Sequence, residues 1–127
     1  IEAGGINGVY DILNGRSDRA LNVFVGLLNA NGKTPFMSAC SEGDLEVVRY
    51  LYDVFGLRLD INQANRFGNT ALIYASMDNH VDVVAFLISL PGIQHDIANR
   101  VGYSAMLFAI INQNEAIQAI LRGAEQE

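Results

Sequence analysis

The residues that could act as nucleophiles or metal ligands are few and lie far apart in the sequence. The chain has one cysteine, Cys40, and two histidines, His80 and His95. A reactive thiol needs an exposed, electropositive setting, whereas Cys40 follows an apolar run, so we expect a buried structural thiol. The two histidines have neither the spacing nor the Cys or His neighbours of a zinc site. We therefore predict no metal site and no cysteine chemistry.

Carboxylates are more numerous, but their spacing does not indicate acid–base catalysis. The pairs Asp44/Glu46 and Asp78/Asp82 lie near predicted helix starts, where carboxylates cap helices or stay solvated. The Gly4-Gly5 pair has no strand before it and no Lys-Ser or Lys-Thr after it, so it does not match a phosphate-binding loop. A glycosidase-like carboxylate pair would also need a shaped pocket. We expect no enzyme activity and no cofactor.

Length and composition indicate one small, mildly acidic domain. The chain has 127 residues, of which 50% are hydrophobic, and a formal net charge of −6. The negative charge argues against nucleic-acid binding, and no apolar run reaches the ~20 residues of a membrane helix. A single cysteine and no visible targeting peptide favour an intracellular location, cytoplasmic or nuclear. The chain opens with Ile1, which suggests a fragment or a processed product.

The segments that would position these residues repeat along the chain. A glycine-led segment recurs at Gly32, Gly68 and Gly102, with spacings of 36 and then 34 residues. Its copies are GKTPFMSA (32–39), GNTALIYA (68–75) and GYSAMLFA (102–109). Two further registers agree, since ANRFG (64–68) returns as ANRVG (98–102), and LEVV (45–48) returns as VDVV (81–84). A fixed period of this length is the signature of a repeat solenoid.

Each repeat predicts a pair of short helices. Thr34, Thr70 and Ser104 can cap the first helix with a side-chain oxygen, and Pro35 suits its first turn. An apolar run with small residues follows each cap, which indicates a short helix that packs closely against a neighbour.

A tight turn and a second helix complete each repeat. Gly43 can end the first helix in the left-handed conformation, and Asn79 can do the same one repeat later. Asp44 can cap the second helix. The apolar residues of the second helices have helical spacing; they are Leu45, Val47, Val48 and Leu51, and then Val81, Val83, Val84 and Leu87.

This pattern resembles the ankyrin repeat, whose signature is Thr-Pro-Leu-His-x-Ala. The closest match is TPFMSA at residues 34–39, and the resemblance extends roughly from Asn29 to Leu121. It implies an all-α solenoid of stacked helix–turn–helix units with β-turn fingers. We expect one domain over residues 1–127, with repeats at 29–64, 65–98 and 99–127. Residues 1–28 would form a degenerate first repeat or a cap.

The sequence departs from the family pattern in three places. Met37, Ile73 and Leu107 stand where the signature has histidine, so the hydrogen bonds of that histidine should be absent or replaced. The loop at 55–59 is longer than the family norm by about three residues. Gln113 replaces the glycine between the helices, which is a strained choice if the left-handed turn is kept.

By resemblance, a partner would bind the concave surface formed by the turn tips and the first helices. Lys33, Arg66 and Arg100 would give this acidic protein a basic and partly aromatic edge, and arginine and aromatic residues are favoured interface anchors. We therefore predict an acidic or mixed apolar–acidic segment of another protein as the ligand. The alternative is that the tip arginines bond nearby carbonyls and stay solvated. The predicted partner-binding residues are Lys33, Arg66, Phe67, Asn69, Met77, Arg100, Val101, Tyr103 and Ile111.

Two classes of function are compatible with this pattern. The leading one is a protein–protein interaction module, a scaffold or adaptor without catalysis. The alternative is a regulatory or structural segment of a larger enzyme, channel or multi-subunit assembly. The apolar C-terminal unit favours the alternative, because terminal repeats need a polar outer face. Either further repeats or a subunit would cover this end, or its glutamines and the 122–127 tail provide enough polarity. The apolar residues concerned are Ile110, Ile111, Ile117, Ile120 and Leu121.

Overall fold

The structure of the protein is a computed structural model, which describes residues 32–125. This range contains three helix pairs, and the only β pairing within it is an isolated bridge between Ala98 and Ser104. The all-α prediction is confirmed, while the degenerate first repeat or cap predicted at 1–28 lies outside the described residues. The helices are α1 (Pro35–Glu42), α2 (Leu45–Phe55), α3 (Ala71–Met77), α4 (Val81–Ile88), α5 (Ala105–Ile111) and α6 (Glu115–Glu125).

The first helix of each pair starts at the predicted cap. In each case the hydroxyl oxygen accepts a hydrogen bond from the backbone N–H three residues later, which satisfies one of the open donors of the first turn. The bonds run from Met37 N to Thr34 Oγ1 (3.1 Å), from Ile73 N to Thr70 Oγ1 (3.3 Å) and from Leu107 N to Ser104 Oγ (3.2 Å).

Each pair turns through a residue in the left-handed conformation. Gly43 has φ 76°, Asn79 has φ 64° and Gln113 has φ 58°. The first two were predicted, and the turn is kept at Gln113 although a side chain with a Cβ is disfavoured there. Asp44 caps α2 as predicted, since its Oδ1 accepts from Val47 N at 3.3 Å.

The helices form two rows. The first helices, α1, α3 and α5, pack side by side, and the second helices, α2, α4 and α6, pack behind them. Alanines at one repeated position, Ala39, Ala75 and Ala109, are fully buried and allow the first helices to approach closely. Val48 and Val84 of the second helices are fully buried as well. Each pair therefore buries its apolar face against the next pair.

Side chains of one inter-helix turn bond to the turn before it. His80 Nε2 donates to the Ser41 carbonyl oxygen at 2.7 Å, and Asn112 Nδ2 donates to the Met77 carbonyl oxygen at 3.0 Å. These two acceptors occupy the same position in successive units. The histidine considered as a metal ligand thus links two neighbouring units of the stack.

The loops after the second helices are joined in the same way. Asn62 Nδ2 donates to the Gly92 carbonyl oxygen at 2.8 Å, and its Oδ1 accepts from Gln94 N at 2.9 Å. The extra length predicted after α2 is taken up by a 3-10 turn, Gly56–Arg58. The extra residues are therefore accommodated within the loop and do not change how the helices stack.

Truncation and overpacking of the middle unit should both destabilise the stack. Leu72→Ala removes a buried side chain and should lower the free energy of unfolding by about 2–5 kcal/mol. Ala75→Leu adds bulk where the first helices meet and should cost about 1–3 kcal/mol. Urea unfolding followed by circular dichroism measures both. Ala85→Leu, on the exposed face of α4, is the control for added bulk; an equal loss in that variant would contradict the packing argument.

Candidate partner-binding surface

The fingers between the helix pairs are turns closed by an asparagine. Asn65 Oδ1 accepts from the backbone N–H groups of Phe67 (3.0 Å) and Asn69 (2.9 Å). The backbone of the turn closes on itself as well, because Gly68 N donates to the Asn65 carbonyl oxygen at 3.0 Å. The side chain thus satisfies amides that a four-residue turn would leave open.

The next finger repeats this arrangement. Asn99 Oδ1 accepts from Val101 N at 3.1 Å and from Tyr103 N at 2.9 Å, and Gly102 N donates to the Asn99 carbonyl oxygen at 2.9 Å. Two independent copies of the same bonds show that the recurring Ala-Asn-Arg-x-Gly segment encodes the finger.

The two fingers are also bonded to each other and to the first helices. Asn99 Nδ2 donates to Asn69 Oδ1 at 2.9 Å, and Arg100 N donates to the Phe67 carbonyl oxygen at 3.0 Å. Asn65 Nδ2 donates to the Tyr74 hydroxyl on α3 at 2.6 Å. These hydrogen bonds form a fixed base beneath the finger tips.

The tip side chains point away from this base. Phe67 is 52% exposed, Val101 is 73% exposed and Tyr103 is 40% exposed. Arg66 and Arg100 are exposed beside them. Most large apolar side chains of the described residues are buried or half-buried, so this exposed group is a candidate contact surface.

Two predicted tip residues have contacts inside the stack that the sequence did not indicate. Asn69 is buried, because its side chain accepts the bond from Asn99. Lys33 is half-buried with its Nζ 4.5 Å from the centre of the Tyr74 ring, a cation–π contact. The exposed basic edge is therefore narrower than predicted and is centred on Arg66 and Arg100.

Below the tips, the first helices contribute aromatic and apolar residues. Tyr103 meets Phe108 of α5 edge to face, with ring centres 5.5 Å apart. One helical turn further from the fingers are Met77, which is half-buried, and Ile111, which is 55% exposed. Tyr74 occupies on α3 the position that Phe108 has on α5. The predicted residues therefore occupy equivalent positions in successive units and extend from the fingers toward the inter-helix turns.

The far edge of this surface is acidic. Glu42 and Asp78 end α1 and α3 and are exposed at equivalent positions, and Asn112 follows α5. Asp78 Oδ2 accepts a hydrogen bond from the Ser41 hydroxyl at 2.7 Å. The sequence alone did not indicate that these two carboxylates form one edge of the surface.

The C-terminal unit is more polar than its apolar sequence suggests. Ile117 and Leu121 are buried in the core, while Ile110 and Ile111 are half exposed. Gln118 takes the position of the buried Val48 and Val84. Of the isoleucines predicted to be available for association, Ile117 is therefore inaccessible, because it fills the space between α5 and α6.

The remaining candidates for chemistry have structural surroundings. Cys40 is fully buried in α1, and this burial raises the pKa of its thiol far above the ordinary value. Among residues 32–125, no three His, Cys, Asp or Glu side chains lie close enough to hold a metal ion. Within the same residues, no helix has both the length and the apolar character to cross a membrane.

The chain is similar to known proteins in both sequence and structure. A family model of ankyrin repeats in three copies matches residues 7–99 and also residues 57–127. Inversin of Danio rerio is 34% identical over 61 residues, which are 48% of this chain and 6% of Inversin. A chain in the crystal structure of the yeast ribosomal protein Rps3 in complex with its chaperone Yar1 is 25% identical, with a TM-score of 0.80 over 92% of this chain and 82% of that chain.

The Cys40 thiol should react only after unfolding. Burial keeps the thiol protonated and keeps disulfide reagents away from it. Ellman's reagent should therefore label the native protein only as fast as the protein unfolds. The same protein in denaturing urea should react at once. Rapid labelling of the native protein, with its circular dichroism unchanged, would contradict the buried setting.

Close approach of the fingers should make Gly68 less tolerant than Gly102. Both glycines are left-handed, with φ 79° and 89°, so alanine costs roughly 1–2 kcal/mol at either position. At Gly68 the added Cβ would also lie 2.9 Å from Arg100 N, whereas at Gly102 nothing lies within 4 Å. We expect Gly68→Ala to lower the free energy of unfolding by at least about 1 kcal/mol more than Gly102→Ala. Equal losses in urea unfolding would show that the fingers are not tightly joined.

Proposed function

Because the chain belongs to the ankyrin-repeat family, we propose that it is a protein–protein interaction module, a scaffold or adaptor that binds its partner without catalysis. The binding surface in this proposal consists of the finger tips and the exposed faces of α1, α3 and α5. The observation that carries the proposal is the exposure of Phe67, Val101 and Tyr103 beside Arg66 and Arg100 on a hydrogen-bonded base.

The rigid base favours tight binding. Association costs free energy when loops and side chains must be ordered, and less when the surface is already ordered. The finger backbones are fixed by Asn65 and Asn99, so only the tip side chains need to become ordered when a partner binds. Arginine and aromatic side chains in such positions are the types that most often dominate binding energy.

The charge of the tips defines the chemistry of the partner. Arg66 and Arg100 flank apolar side chains, so an acidic or mixed apolar–acidic protein segment is complementary to them. A net charge of −6 disfavours nucleic acid as the ligand. Membrane insertion has no place in this proposal, and the location that we propose is inside the cell, in the cytoplasm or the nucleus. The similar solved chain comes from a complex of a chaperone with a ribosomal protein, which supports a protein as the partner.

The alternative function is a regulatory or structural segment of a larger enzyme, channel or assembly. The half-exposed Ile110 and Ile111 favour it, since a subunit or further repeats would cover them. The match to Inversin also spans only 6% of that protein. Against a further regular repeat, Gln118 replaces a buried valine, and Ile110 stands where Cys40 and Ser76 are small and buried. Because Ile110 is larger than Cys40 and Ser76, an interface packed as closely as those between the described units would be overfilled at this position.

Removal of the tip side chains should abolish partner capture. In an affinity pull-down followed by mass spectrometry, Arg66→Ala/Phe67→Ala/Arg100→Ala should lose the partner of the wild-type protein. Each single variant should weaken binding of the recovered partner by at least about tenfold, as expected for interface anchors.

The control removes equal charge from the second helices. Arg49→Ala/Arg122→Ala eliminates two exposed arginines on α2 and α6 and should retain the partner. Retention of the same partner by the tip variant as well would refute binding through the fingers. Loss in the control alone would favour the second helices as the contact surface.

A further inference from the structure

The candidate surface changes charge between its two edges. At the finger edge, the tip row consists of Arg66, Phe67, Arg100 and Val101, with two exposed positive charges. At the opposite edge, the turn row consists of Glu42, Asp78 and Asn112, with two exposed negative charges. The two rows are joined by the first helices.

The strip between the rows is aromatic and apolar. Tyr74, Tyr103 and Phe108 lie next to the fingers, as the contacts of Tyr74 with Asn65 and of Tyr103 with Phe108 show. Met77 and Ile111 lie next to the turn row. No Asp, Glu, Lys or Arg occurs along the sequence of α3 or α5. The Lys33 ammonium over the Tyr74 ring adds a positive charge on the finger side of the strip.

The charges of the two rows are kept apart by the fold. Arg66 and Arg100 are on fingers that are bonded to each other, and Asp78 is held at the end of α3 by the Ser41 hydroxyl. A hydrogen bond from a neutral hydroxyl leaves the carboxylate charge in place. The first helices have seven or eight residues and lie between the rows, so the rows are separated by at least the length of one such helix, on the order of 10 Å at 1.5 Å per residue.

We propose, on the basis of the interaction function above, that the partner segment crosses the first helices in one fixed orientation. Its carboxylates contact the tip row, its apolar side chains cover the central strip, and its lysines or arginines contact the turn row. The partner is therefore a charge-asymmetric segment, acidic at one end and basic at the other. A uniformly acidic segment would meet like charge at Glu42 and Asp78, which reduces the rate and specificity of docking.

The partner segment that crosses this surface can be short. A distance on the order of 10 Å is bridged by about three extended residues or about two helical turns. Long disordered partners would have to order many more residues for the same contacts. The fixed separation of the two rows then selects among segments by the spacing of their charges as well as by their sign.

Two synthetic peptides of identical composition test the charge asymmetry. The block peptide has glutamates at one end, leucine and phenylalanine in the middle and lysines at the other end, and the mixed peptide alternates the same charges. Fluorescence anisotropy at low salt should give the block peptide at least tenfold tighter binding. Equal affinities for the two peptides would overturn the proposed orientation.

Variants of each row locate the two ends. Arg66→Gln/Arg100→Gln and Glu42→Gln/Asp78→Asn should each weaken the block peptide about tenfold. Arg49→Gln/Arg122→Gln should leave its affinity unchanged, and circular dichroism checks that all variants fold. If only the tip-row variant weakens binding, the orientation is wrong while the interaction function stands. If neither row variant weakens it and the pull-down is also insensitive to the tips, both proposals fail.

A photo-cross-linker at the acidic end of the block peptide reports the orientation directly. In the wild-type protein, cross-links should fall on residues 66–67 and 100–103. In the swapped variant Arg66→Glu/Arg100→Glu/Glu42→Lys/Asp78→Lys, they should move to residues 41–42 and 77–78. Cross-links that remain at the fingers after the swap would show that charge does not set the orientation.

Discussion

The finger turns depend on the amide of one asparagine in each repeat. Asn65 and Asn99 stand at the base of their fingers, and each accepts two backbone N–H groups with a single oxygen. The amide nitrogen then donates outward, from Asn65 to Tyr74 and from Asn99 to Asn69. Asn65 is buried and Asn99 is half-buried. A polar group removed from water is costly when unpaired and stabilising when all its bonds are made. The same residue type thus shapes the turn and ties it to the stack.

The exposed surface follows from that constraint. The polar groups of the finger backbone form hydrogen bonds within and between the fingers. The side chains at the tips are therefore not needed to satisfy the backbone. Phe67 and Val101 stay in solvent although they are apolar, and Arg66 and Arg100 stand beside them. The fold therefore presents anchors in a row whose spacing is set by the stacking of the helices beneath.

The sequence predicts the helices and turns well because their determinants are local. Hydroxyl caps such as Thr34 bond three residues away, and Asn79 takes the left-handed turn that its position in the repeat predicts. The surroundings of Asn69 and Lys33 were not predicted, since their partners Asn99 and Tyr74 lie 30 and 41 residues away. The recurrence of asparagine at positions 65 and 99 was visible, but only the structure shows which bonds it makes. Of the proposed surface, the sequence identified the basic edge but not the acidic one.

The stepwise contact of neighbouring units gives the chain a defined response to mechanical load. The bonds from His80 to Ser41 and from Asn112 to Met77 each join only two adjacent units. Tension applied along the stack is therefore borne by one interface after another, and the weakest interface yields first. A unit of 34–36 residues that comes loose adds on the order of 120 Å of extended chain. Under load the chain would therefore lengthen in steps of one unit rather than all at once.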